Sequence, residues 1–247
     1  MRKGQFSCIV EEKSERGRPL RIKILSCRNL EAEVRLAMKN CGCAYPLEVL
    51  AENNHDVPQL LRQRIQERLD ETQDADRVLL AFTTCGGAIT GLRSGNFELV
   101  IPRVDDCLSL LLGSMERRRE VLKGGFGIFL TKAWLEHERS IPAELQRIYA
   151  KYPHVRAQKI VEALYGHFDS LNVIDTGAYD MAQILPRTEE LAKILGLGHR
   201  IVPGTLSYLE ELLGGSYDPA RFLVIPPETE VADADTLIVS SEAQKLN

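Results

Sequence analysis

Apolar residues in this chain follow two spacings. Short, nearly continuous runs, "RIKILSC" (Arg21 to Cys27), "DRVLLAFTTC" (Asp76 to Cys85) and "FELVIPRV" (Phe97 to Val104), predict strands of a parallel sheet covered on both faces. "PLEVLAENN" is a weaker strand. Between the runs the spacing turns helical: "NLEAEVRLAMKN" repeats Leu30, Val34, Leu36 and Met38, and "HDVPQLLRQRIQERLDET" sets Leu60, Leu61, Ile65 and Leu69 on one face, with Asp56 as N-cap and Pro58 in the first turn.

The alternation continues beyond "GGFGIFLT", a strand after a glycine turn. A mostly helical stretch from Ala133 to His167 follows, with "RAQKIVEALYGHF" strongly amphipathic. Then come "SLNVIDTG" as strand, "DMAQILPRTEELAKILG" as a helix that Pro186 kinks or splits, "HRIVPG" as strand, "TLSYLEELLGG" as helix and "RFLVIPP" as strand. The expected fold is α/β: two lobes with mainly parallel sheets flanked by helices, residues 1–132 and 133–247, and a ligand cleft at the carboxyl ends of the strands. The tail from Glu228 is polar and is expected to be loose. No repeat or low-complexity tract interrupts this plan.

Composition narrows the classes of function. At 247 residues the chain can bury a sizeable core, and a net charge of -4 argues against a nucleic-acid surface. No apolar run is long enough to cross a bilayer, and the start is charged again before a signal-like region forms, so a cytoplasmic protein is expected. In a reducing compartment its six cysteines are thiols or ligands rather than disulfides.

Three of these cysteines fall where strands end. Cys27 closes the first strand, Cys85 follows the third, and Cys107 lies just past the fourth; His55 precedes the helix after the weak strand. If the strands are parallel, all four meet at the carboxyl edge, where α/β sheets bind ligands. Three thiolates and an imidazole make a full tetrahedral sphere for zinc or a softer transition metal, and an open position would make it catalytic. Asp105 and Asp106 would ligate, orient His55 or move protons there. The competing reading is that each cysteine packs as a small hydrophobe.

The remaining candidates are weaker. "TTCGGAITGLRSG" puts Gly86 and Gly87 in a turn after a strand, where backbone N–H groups cradle an anion or the turn is merely flexible. Arg103 would fork onto a carboxylate or phosphate, or pair with Asp105 or Asp106. Asp175 and Thr176 would close the cleft, or form an Asx-type turn. Trp134 and His137 suit helix packing and a solvated histidine. Cys41 and Cys43 flank Gly42, a left-handed helix cap, at the opposite edge, and have a structural role; Cys8 has none.

"HDVPQLL", "TTCGGAITGL", "LVIPRVDDCLSLLLGS" and "FLTKAWLE", in this order, resemble the uncharacterised family known as domain of unknown function 1638, from about Cys27 to Phe222. The resemblance implies that the family pattern falls on Cys27, His55, Asp56, Cys85, Pro102, Arg103, Asp106, Cys107, Gly113 and Ser114. It also implies the company of corrinoid-dependent methyltransferase systems. Asp105 stands where the family commonly has histidine, and Ala133 where it has glycine.

Together these observations predict a zinc-binding protein with a Cys/His/Asp site acting on a small anionic or one-carbon substrate, with a corrinoid or folate-type cofactor or a corrinoid methyltransferase partner implied by the resemblance alone. The alternative is a non-catalytic two-lobed protein binding an anionic folate-like or tetrapyrrole-like molecule, its cysteines structural. Nucleic acid and membrane are not expected partners.

Overall fold

The structure is a computed structural model that describes residues 18–50 and 57–232. In chain order its strands are β1 (Ile22–Cys27), β2 (Leu47–Leu50), β3 (Arg77–Ala81), β4 (Glu98–Pro102), β5 (Gly127–Leu130), β6 (Ser170–Asp175), β7 (Gly198–Pro203) and β8 (Phe222–Ile225). Its helices are α1 (Glu31–Cys41), α2 (Pro58–Asp70), α3 (Cys107–Leu112), α4 (Met115–Leu122), α5 (Lys132–Glu136), α6 (Ile141–Lys151), α7 (His154–Tyr165), α8 (Met181–Leu195) and α9 (Ser207–Gly214). The fold is mixed α/β with parallel-rich sheets, as the alternating pattern predicts.

The sequence draws the lobe boundary at 132/133. The described residues divide instead into one unit up to Met115 and from Leu206 onward, and a second from Glu116 to Thr205. The reason is β8, which the linear pattern assigns to the second lobe. It returns and pairs antiparallel with β4, while β5 pairs with β6.

In the first unit the strand order is β2-β1-β3-β4-β8, with the first four parallel. Side chains alternate across this sheet because the strand period is two. Leu25, Val78, Leu80, Leu99 and Ile101 bury against Leu61, Ile65 and Leu69 of α2. α9 packs on β3, β4 and α1. Gly42, at φ 66°, caps α1 in the left-handed region and donates to Lys39 and Met38 carbonyls, so the turn holding Cys41 and Cys43 sits at the amino edge. The stretch after Pro227, expected to be loose, is tied down at its start: Val231 is buried and exchanges hydrogen bonds with Gly91 and Leu92, and Glu228 donates to Gly95.

The second unit holds a parallel sheet of order β5-β6-β7. α8 runs unbroken through Pro186, because its buried face, Ile184, Thr188, Leu191 and Leu195, holds the helix by packing while the proline removes only one backbone donor. Asp180 caps α8 by accepting from Ala182 N–H at 3.0 Å. Asp175 accepts from Gly177 N–H at 3.0 Å, and Thr176 from Ala178 N–H at 3.3 Å, so this stretch is an Asx-type turn. Trp134 packs on the second core, and His137 Nδ1 accepts from Arg139 N–H at 3.0 Å.

Candidate functional site

Strand order places the site before any side chain is considered. The chain leaves β1 toward β2 on one side and β3 toward β4 on the other, so the order reverses between β1 and β3. Such a switch point opens a crevice outside the carboxyl ends, because the two connections depart in opposite directions. The register aligns those ends: Ser26 lies opposite Ala81, Cys27 opposite Leu50, and Leu79 opposite Val100.

Cys27 sits at the end of β1, buried, and its sulfur caps the one-turn helix Arg28–Leu30 by accepting from Asn29 N–H at 3.4 Å. Cys85 follows β3 on a left-handed turn, with φ of 44° at Cys85, 67° at Gly86 and 85° at Gly87. For the two glycines this conformation is ordinary; for a cysteine it is strained, and such strain concentrates at functional sites. The turn is held from several sides. A Cβ on Gly86 would meet Pro58 at 3.4 Å, Arg62 donates to the Gly87 carbonyl at 3.0 Å, and Thr83 Oγ1 lies 3.1 Å from Cys85 Sγ.

The loop after β4 is laced to this turn. Thr84 N–H donates to Val104 at 3.3 Å, and Thr84 Oγ1 to the Asp105 carbonyl at 2.5 Å. Asp106 caps α3, accepting from Ser109 N–H at 2.9 Å, and Cys107 is the first residue of that helix. Asp105 has a buried Oδ1.

The three thiols feel one another. Burial raises Cys107 well above the ordinary thiol range, and the charges of Cys85, Cys27 and Asp106 raise it further. Burial pushes Cys27 up to about 12, with Asn29 N–H opposing and Cys85 adding. Cys85 is raised by burial, opposed by Thr83, and raised also by Asp106. All three are therefore protonated at neutral pH without a compensating cation.

The structure thus brings Cys27, Cys85, Cys107 and Asp106 to one edge beside Gly86 and Gly87. His55 and Asp56, with the N-cap expected of Asp56, lie outside the described residues, as does Cys8; the described residues flanking them, Leu50 and Pro58, are at this edge. Among the described residues no three His, Cys, Asp or Glu side chains are already arranged to hold a metal ion. Arg103 donates from its guanidinium to the Pro219 carbonyl at 2.7 Å, on the segment leading to β8. Sequence reasoning missed Thr83 and Arg62. Thr83 had a visible signal, a hydroxyl two residues before a strand-end cysteine, whereas Arg62 reads as one more solvated helix charge.

Among the described residues no helix is long and apolar enough to cross a membrane. The family model described as "Protein of unknown function (DUF1638)" matches residues 49–213, more than half of the chain. No curated protein and no solved structure matches it.

Proposed function

The chain belongs to the DUF1638 family of proteins of unknown function, and from that premise we propose that it is a cytoplasmic protein binding zinc, or another transition metal, through Cys27, Cys85, Cys107 and His55. The observation that carries this reading is topological: β1, β3 and β4 are adjacent parallel strands, and Cys27 closes the first, Cys85 follows the second and Cys107 begins the helix after the third. Ionised sulfurs gathered at one edge repel, and a cation held among them would remove the repulsion. The donor set suits zinc, since thiolate and imidazole are the ligands it prefers.

Zinc held there would supply Lewis acidity, and if one of the four ligands stayed off the metal the open position could take a substrate thiol or a water. Asp106 holds α3 and with it Cys107, and Asp105 is the group available to move a proton, as is His55 where it stays off the metal. Gly86 and Gly87 offer backbone donors to an anionic substrate. A one-carbon or thiol substrate in a corrinoid-linked methyl transfer, with a corrinoid or folate-type cofactor, follows from the family resemblance alone.

A second reading has its own support. Cys27 belongs to the apolar cluster beneath α2, and Cys85 packs against it. In that case the thiols are packing groups, and the glycine turn binds an anionic folate-like or tetrapyrrole-like molecule without catalysis. Cys85→Ala and Cys107→Ala separate the two. Under the first reading both variants lose metal found in the parent protein. Under the second the parent carries none, and both variants bind a folate or tetrapyrrole carboxylate as the parent does.

A further inference from the structure

Two of the three sulfurs come with donors attached. Cys27 Sγ accepts from Asn29 N–H at 3.4 Å, within the turn that the sulfur itself caps. Cys85 Sγ has Thr83 Oγ1 at 3.1 Å. Thr83 is fully buried, two residues after β3 ends, on the strand between the two others that carry the cysteines. A thiol can give its proton to the hydroxyl or take one from it, but a thiolate can only accept. Either atom can be the donor, so the Thr83 hydroxyl holds the sulfur whichever of the two carries the shared hydrogen.

We infer that Thr83 is a positioning residue for Cys85, its hydroxyl hydrogen-bonding the sulfur so that it faces Cys27 and Cys107 when a metal is held among them. This rests on the proposed metal site and deepens it. The geometry around Cys85 gives the hydroxyl something to do. Cys85 occupies a strained left-handed conformation, and the two glycines that follow it, also at positive φ, offer no side chain to pack against its sulfur. Thr84 is engaged in the opposite direction, to Val104 and Asp105. Thr83 thus holds the sulfur while Thr84 holds the loop that carries Cys107. Outer hydrogen bonds of this kind orient ligands, and their removal weakens metal affinity by about 10- to 100-fold.

The test is anaerobic titration of the full-length protein with Co(II), followed by its sulfur-to-cobalt charge-transfer absorption and by competition with zinc. Thr83→Val removes the hydroxyl at nearly constant shape, Thr83→Ala is a second hydroxyl-free variant, and Thr83→Ser restores the donor. The expected result is at least about tenfold weaker binding with a shifted charge-transfer band in Thr83→Val and Thr83→Ala, and recovery of both in Thr83→Ser. Parent-like affinity and band in the hydroxyl-free variants would overturn the role of Thr83 while leaving the metal site standing. A parent protein with no charge-transfer band would overturn both.

Discussion

At the amino ends of the first sheet, Asp76 accepts from the Arg18 guanidinium at 2.5 and 2.6 Å and from Arg21 N–H at 2.8 Å. Nearby Lys23 lies 2.7 Å from Glu48, and Arg77 2.5 Å from Glu98. At the carboxyl ends of the same strands stand three thiols and Asp106, where ionising any one thiol is opposed by burial and by its neighbours. The first edge matches acid with base, and its groups hold their ordinary charge in place. The second gathers groups of one potential sign and keeps its thiols protonated by burial. Matched charges serve folding; under the proposed function the gathered thiols serve binding of a cation.

The sharpest way to break this contrast is to remove one sulfur. Cys107→Ala is expected to weaken metal binding by about a thousandfold or more, since a structural sphere loses a charged ligand. Asp76→Ala should leave that affinity unchanged, and competition with a chromophoric chelator measures both. Next in size is the pH dependence of binding. With all three thiols raised, Cys27 to about 12, metal must displace their protons throughout the neutral range. Affinity should therefore rise at least about tenfold per pH unit from pH 6 to 9, with proton release visible calorimetrically in buffers of different ionisation enthalpy.

The opposite edge responds to acid too, through a carboxylate and in a lower pH range. Arg18 and then Arg21 hold Asp76 well below the usual carboxylate range. A depressed carboxylate contributes stability that is present above its ordinary pKa near 4 and lost as pH falls toward the folded value. Asp76→Ala is expected to cost about 1–3 kcal/mol at neutral pH, since Arg21 N–H and two guanidinium groups lose their acceptor, and to flatten the acid limb of a denaturant-monitored stability curve. The smallest effect returns to the thiol edge. Cys85→Gly should be more stable than Cys85→Ala by about 1 kcal/mol, because only glycine relaxes at a positive φ. Equal stabilities in chemical unfolding would mean that the turn carries no strain.

The strands of the first sheet were legible because β1, β3 and β4 are buried on both faces and therefore nearly continuous in apolar residues. Their ends located Cys27, Cys85 and Cys107 at one edge, since α1, α2 and the long turn-rich connection from β3 to β4 each return the chain to a parallel strand. Gly42 announced its cap. What the pattern did not carry was partnership: "RFLVIPP" has the same composition whether it extends the nearer sheet or, as β8, returns to β4. Arg103 illustrates the same limit, because its partner, the Pro219 carbonyl, is distant in sequence. Glu228 to Val231 looked loose because their polarity hides backbone bonds to the glycine-rich stretch. Thr83 could have been noticed, but only a structure shows its hydroxyl meeting a sulfur.

The most direct measurement is the metal content of the full-length protein purified anaerobically without chelator, by elemental analysis against quantitative amino-acid analysis. The account predicts about one equivalent of zinc or another transition metal, as a three-thiolate sphere with a histidine requires, and its loss in Cys85→Ala and Cys107→Ala. Less than about a tenth of an equivalent of any transition metal in the parent protein, with none taken up on titration, would contradict it and leave the thiols as packing groups of the sheet edge.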